Sequence, residues 1–174
     1  LDIKSGSEYI TVSWNKFYHN AKGLLVGHTD SLDYATRITY HHNHFYNVNS
    51  RTPLIRFATV HLFNNYFHNI VESGINVREG GKARIENNYF ENVGSGNPNP
   101  KTGMIEGPIG WWYNDTKGDW EVIGNIFVDC PVSEYESTTT VHIPYDYGMA
   151  LNDAERAKEL VLMYAGAGSP SLEQ

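Results

Sequence analysis

Residues 59–70 read TVHLFNNYFHNI. Val60 and Leu62 stand two apart, an asparagine follows at 65, and a phenylalanine comes two positions later. The same figure recurs as YITVSWNKFYHN (9–20), RITYHHNHFYNV (37–48), KARIENNYFENV (82–93) and WEVIGNIFVDC (120–130). The anchoring asparagines Asn15, Asn43, Asn65, Asn88 and Asn125 are 28, 22, 23 and 37 residues apart. A unit of roughly 22 residues therefore recurs with insertions, the mark of a repeat architecture. Five and three positions before the anchors the residues are mostly apolar: Ile10 and Val12, Ile38 and Tyr40, Val60 and Leu62, Ala83 and Ile85, Trp120 and Val122. Period-two alternation of this kind means a short strand with one face in a core. A second short run lies between anchors, as in GLLVG (23–27), TPLIR (52–56) and GINVR (74–78). Helical repeats would show 3.6-residue spacing, and none of these units does.

The units predict an all-β solenoid, a right-handed parallel β-helix whose coils stack at ~4.8 Å. Equivalent residues of successive coils then form ladders. Each anchor asparagine can donate to and accept from the one above and below, and asparagine tolerates a left-handed bend at a corner. Phe17, Phe45, Phe67, Phe90 and Phe127 are expected to stack as an internal aromatic ladder. Both ladders are read as architecture. Residues 1–174 are expected to form one domain, with coils over about 1–130 and a C-terminal segment with a short helix over about 131–168. Asn152 to Glu155 reads as a capping box, and Ala157, Leu160, Val161 and Tyr164 recur at helical spacing. That helix is expected to pack on the coils or seal an edge. Leu1-Asp2-Ile3 reads as the middle of a strand, so the β-helix is expected to be truncated at its N-terminal side, with further coils of the same protein as its partner.

Composition narrows the function. The chain has 174 residues, 40% of them hydrophobic and 13% aromatic, enough for a substantial core. The formal net charge of −7 argues against non-specific binding of nucleic acid, so affinity for an acidic ligand must come from a local cluster. No stretch approaches the ~18 consecutive apolar residues of a membrane span. The single cysteine, Cys130, excludes an internal disulfide framework and reads as a small core residue. Two insertions, 28–37 and 94–119, are punctuated by Gly, Pro, Asn and Asp and read as loops that build a groove. In the second, Trp111, Trp112 and Tyr113 offer a sugar-stacking platform or, the commoner use of such a pair, an anchor to the body.

Aligning the second strands produces a column of cations. Lys22 precedes GLLVG and Arg51 precedes TPLIR, so they are expected at the same corner of neighbouring coils. Arg56 closes Arg51's strand, and Asp2 and Lys4 fall near the same column as Gly27 and Arg56. Lys4, Lys22, Arg51 and Arg56 should converge on one surface of an acidic molecule, with Asp2 at its margin. Such a cluster repels itself unless a ligand or carboxylates such as Asp30 or Glu79 compensate. His41, His42 and His44 surround the Asn43 anchor, with His19 and His28 nearby. On a strand His41 should point away from His42, so groove-lining or structural roles are expected rather than a metal site.

Taken together, LDIKSGSEYITVSWN, LLVGHTDS, ITYHHNHF and RTPLIRFATVHLFNNYF resemble the pectate lyases of the pectate/pectin lyase β-helix family, over about residues 1–130. The resemblance implies calcium-dependent β-elimination of α-1,4-polygalacturonate, giving unsaturated oligogalacturonates, by a secreted polysaccharide lyase that is a monomer at full length. It implies Arg51 as the base, Lys4, Lys22 and Arg56 as substrate-binding residues, and Asp2 as one ligand of Ca2+. The other readings are a non-catalytic module that binds acidic polysaccharide, and a pectin lyase acting on methylated chains. A hydrolase is disfavoured, because glycoside hydrolysis needs two acids facing one bond and no two carboxylates align on adjacent coils.

Overall fold

The computed structural model describes residues 1–31 and 35–170. Among them the strands form three parallel five-stranded sheets, and the chain visits each sheet once per coil. The first sheet holds β1 (Asp2–Ile3), β4 (Leu25–Val26), β7 (Leu54–Arg56), β10 (Ile75–Arg78) and β13 (Ile109–Gly110). The second holds β2 (Glu8–Ser13), β5 (Thr36–His41), β8 (Thr59–Phe63), β11 (Lys82–Glu86) and β14 (Asp119–Ile123). The third holds β3 (Lys16–Tyr18), β6 (His44–Val48), β9 (Tyr66–Ile70), β12 (Tyr89–Val93) and β15 (Ile126–Val128). This is the parallel β-helix that the repeat predicts. No helix among the described residues is long and apolar enough to cross a membrane.

The alternation read from the repeat sets the register. Ile10, Ile38, Val60, Ala83 and Trp120 are level in the second sheet, and Val12, Tyr40, Leu62, Ile85 and Val122 form the next inward column. Residues between them point out. The five phenylalanines stack inside the third sheet with successive ring centroids 5.3, 4.8, 4.5 and 5.0 Å apart. Where β8 turns into β9, Asn65 donates from its side-chain amide to Asn88 Oδ1 at 3.0 Å and accepts from the Asn43 amide at 3.0 Å. The ladder runs unbroken from Asn15 to Asn125.

The bend itself lies elsewhere than expected. The left-handed residues are Trp14, His42, Asn64, Asn87 and Gly124, each one position before its anchor. That turn aims the following asparagine into the coil, where Asn65 Nδ2 also reaches the Tyr40 carbonyl at 2.8 Å. A second, outer asparagine ladder, absent from the sequence reading, links Asn92 to Asn69 at 2.9 Å and Asn69 to Asn47 at 3.2 Å.

The insertions and the C-terminal segment differ in detail from expectation. Leu32, Asp33 and Tyr34 of the first insertion lie outside the described residues, and Thr36 and Arg37 already belong to β5. The second insertion is not loop throughout: it returns to the first sheet as β13, level with Ile75 and Asn76. Cys130 is half-buried at the core margin. Helix α1 runs Ala154–Tyr164, but its cap is Asp153, whose carboxylate accepts from the Arg156 N–H at 2.7 Å. Asn152 is used otherwise: its carbonyl accepts from the side chains of Asn64 and Asn87, at 2.8 and 2.9 Å. Competing partners on the coil thus move the cap by one residue. The helix buries Ala157 and Val161, with Val161 against Tyr66 of the third sheet, so it packs on the flank of the coils.

Candidate active site

The outer face of the first sheet carries two columns whose membership follows from register. Asp2, Leu25, Leu54 and Asn76 are level, and Arg56 is level with Arg78. Gly27 lies beside Arg56, and its N–H donates to the Ile3 carbonyl at 2.9 Å, which brings Lys4 to the end of the second column. Because side chains alternate along a strand, the positions level with Asp2 and with Arg56 face out together while Ile3, Val26, Ile55 and Val77, one residue out of phase, enter the core.

At the corner before this sheet, Lys22 bridges to Ser50 rather than to Arg51. Arg51 is level with Gly23, where an added Cβ would stand 2.8 Å from the Arg51 carbonyl oxygen, so that position needs glycine. The expected vertical pair is therefore offset by one residue, yet Lys22 and Arg51 line the same cavity of about 250 Å³ with Leu54, Asn76 and Arg78. Arg51 has φ of 63° and a half-buried side chain. Burial lowers its pKa, as does the neighbouring Arg56 charge, while Asp2 and Glu72 oppose the shift.

The remaining expected residues occupy the same face but not that cavity. Arg56 turns to Asp30, with Nε 2.7 Å from Oδ1 and Nη1 3.0 Å from the Gly27 carbonyl. This is the carboxylate compensation that the charge column called for. Lys4 is exposed, and its carbonyl accepts from the Ser7 hydroxyl at 2.6 Å. Asp2 is exposed on β1, the outermost strand of the sheet.

Arg78 was missed, although GINVR ends in arginine at the register of TPLIR. It is 5% exposed, and burial with the charges of Arg56 and Arg51 pushes its pKa down to about 10. Its Nη1 donates to the carbonyls of Trp112 and Tyr113, at 3.2 and 3.0 Å. Asn76 ties the same segment down: it accepts from the Trp112 N–H at 3.2 Å and donates to the Trp112 carbonyl at 3.3 Å. Trp112 is fully buried, so it anchors the second insertion. Tyr113 remains at the cavity wall, where its hydroxyl donates to Glu106 at 2.6 Å.

No histidine among the described residues lines that cavity. His42 leaves the strand through its left-handed bend, so its Nδ1 meets His41 Nδ1 at 3.0 Å instead of pointing away. Burial lowers both, to about 4 for His41 and about 3 for His42. Among the described residues no group of three or more His, Cys, Asp or Glu side chains could hold a metal ion. Asp2 is a suitable oxygen donor, but calcium takes six to eight oxygens. The residues present therefore do not make a calcium site by themselves.

The structure is thus a stacked parallel β-helix with cations gathered on the outside of one sheet. The pectate lyase family model matches residues 1–170, and the chain belongs to that family. It is 43% identical over 169 residues to a pectate trisaccharide-lyase of Bacillus licheniformis, across 97% of this chain and 46% of that protein. A pectate lyase from a Bacillus species, solved in complex with trigalacturonate, matches with a TM-score of 0.90 and 51% identity over 96% of this chain and 52% of that one. Pectate lyase C from Erwinia chrysanthemi, solved at pH 9.5 with 30 mM Ca2+, matches with a TM-score of 0.76 and 32% identity over 99% of this chain and 51% of that one. The chain spans about half the length of the relatives it matches.

Proposed function

We propose that this chain carries the base and substrate-gripping side of a secreted pectate lyase that cleaves α-1,4-polygalacturonate by β-elimination. One observation carries the proposal: in a member of the pectate lyase family, Arg51 is half-buried at a cavity that also holds Lys22 and Arg78. The C5 proton of a galacturonate is weakly acidic, and cations around the C5 carboxylate stabilise the enolate-like charge that develops as it leaves. Arginine is a poor base at its ordinary pKa. Burial and the adjacent Arg56 charge both favour the neutral guanidine, so activity rises toward alkaline pH. In the step itself neutral Arg51 takes the C5 proton, the C5–H electron pair becomes the C4–C5 double bond, and the C4–O4 bond breaks. The departing oxygen takes a proton from water. Lys22 grips the substrate carboxylate at the cavity, and Lys4 and Arg56 contact the chain along the same face.

The trigalacturonate held by the Bacillus relative supports galacturonan as the ligand. The Ca2+ in the Erwinia structure supports calcium dependence, with Asp2 as one oxygen donor. A plant cell-wall polymer as substrate supports an extracellular location. The test is ultraviolet absorbance of unsaturated product from the whole protein on polygalacturonate, with calcium and with EDTA. Product that forms with calcium and vanishes with chelator is expected, and none in either condition refutes the reading. Arg51→Lys should cut turnover by more than about 100-fold while galacturonate binding survives through the other cations. A non-catalytic binding module would lose nothing by that change. A pectin lyase would prefer the methyl ester, which the cationic lining disfavours.

A further inference from the structure

We infer that Glu72 grips the 2,3-diol of the galacturonate seated at Arg51 and Lys22, so that the groove rejects chains acetylated at O2 or O3. The inference rests on the lyase reading and adds a specificity to it. Glu72 is the one carboxylate among the described residues that line the 250 Å³ cavity, facing Lys22, Arg51 and Arg78. Its backbone is held on both sides, its N–H donating to the Asn49 carbonyl at 2.8 Å and its carbonyl accepting from the Ser95 N–H at 2.9 Å. The Asn49 side-chain amide fixes one carboxylate oxygen at 2.8 Å. None of the ion pairs among the described residues includes it. A carboxylate placed in a groove for a polyanion would be a liability if a uronate carboxylate had to face it.

The chemistry of the sugar resolves that conflict. An ionised carboxylate only accepts hydrogen bonds, and hydroxyl donors to it are charge-assisted. A galacturonate ring bears its carboxylate on C5 and its free hydroxyls on C2 and C3, with C2 directly across the ring from C5. A ring whose carboxylate lies against Lys22 and Arg51 presents its diol to the opposite wall. Cations and a carboxylate lining one cavity therefore match both edges of one sugar, and they fix which edge goes where. Acetylation at O2 or O3 removes a donor and adds bulk at the wall that Glu72 and Asn49 hold rigid.

The experiment compares polygalacturonate with the same polymer chemically acetylated, using the whole protein and its Glu72→Ala and Glu72→Gln variants. The wild type should show kcat/KM about 30-fold lower on acetylated chains, and Glu72→Ala should shrink that ratio by about tenfold while losing activity on the unacetylated polymer. Glu72→Gln, which keeps an acceptor oxygen without the charge, should fall between. An acetylation ratio unchanged in both variants overturns the inference. A parallel arm measures binding of trigalacturonate and its acetylated form by calorimetry, in the Arg51→Lys background with and without Glu72→Ala. If no unsaturated product forms at all, the lyase reading fails by itself, and the binding ratio still decides the role of Glu72. A change in folding alone would weaken both ligands equally and leave that ratio where it was.

Discussion

Replacing Asn65 with alanine removes the middle rung of the asparagine ladder. Its side chain accepts from the Asn43 backbone N–H at 3.1 Å and from the Asn43 amide at 3.0 Å, and it donates to the Tyr40 carbonyl at 2.8 Å and to Asn88 Oδ1 at 3.0 Å. Some of these partners have substitutes: Asn43 Nδ2 keeps the Val12 carbonyl at 2.8 Å, and Asn88 Oδ1 keeps the Asn65 backbone N–H at 2.9 Å. The Asn43 N–H and the Tyr40 carbonyl do lose partners, in a region where Asn43, Asn65 and Asn88 are all fully buried. At about 1–3 kcal/mol per buried group left unsatisfied, the cost is about 2–6 kcal/mol. Asn15 provides the control. It is exposed at the end of the ladder, with side-chain bonds to the Ser13 carbonyl at 2.8 Å and Asn43 Oδ1 at 3.3 Å, so Asn15→Ala should cost about 1 kcal/mol or less. Urea unfolding of the full chain measures both, compared at equal m-values. Equal losses in the two variants, within about 0.5 kcal/mol, would refute the claim that the internal ladder holds the coils in register.

Acid should weaken the fold before its carboxylates titrate. Burial is the leading cause that lowers the pKa of His41, His44 and His61 to about 4 and of His42 to about 3. In the unfolded chain these groups bind protons near pH 6.5. Stability is therefore full above that value and declines as pH falls toward the folded values, by about 1.4 kcal/mol per pH unit for each histidine that stays neutral. Urea midpoints between pH 7 and 5 check this, and a flat profile contradicts it. Glu86 and Tyr145 both face His61, so His61→Phe should make the slope shallower by one proton. Trp112→Ala should cost about 3–5 kcal/mol as a cavity mutation. A loss of galacturonate binding without a loss of stability would restore the sugar-platform role that burial of Trp112 argues against.

What could be read from the sequence had local causes. Alternation at period two, asparagines about 22 residues apart and phenylalanines two beyond them predict strands, corners and ladders, because each is set by neighbours along the chain or by the same position one coil away. Family membership was legible for the same reason, since the motifs are short and contiguous. The tertiary structure alone decided where the charges went. Arg56 turns to Asp30, 26 residues earlier, and Lys22 settles level with Ser50, 28 residues later. Asp153 takes the cap because Asn152 is held by Asn64 and Asn87. Glu72 and Arg78 reach Arg51's cavity only once coils stack. Backbone period is a property of a few consecutive residues, whereas the direction of a long charged side chain depends on whichever opposite charge, carbonyl or wall the stacking brings within reach.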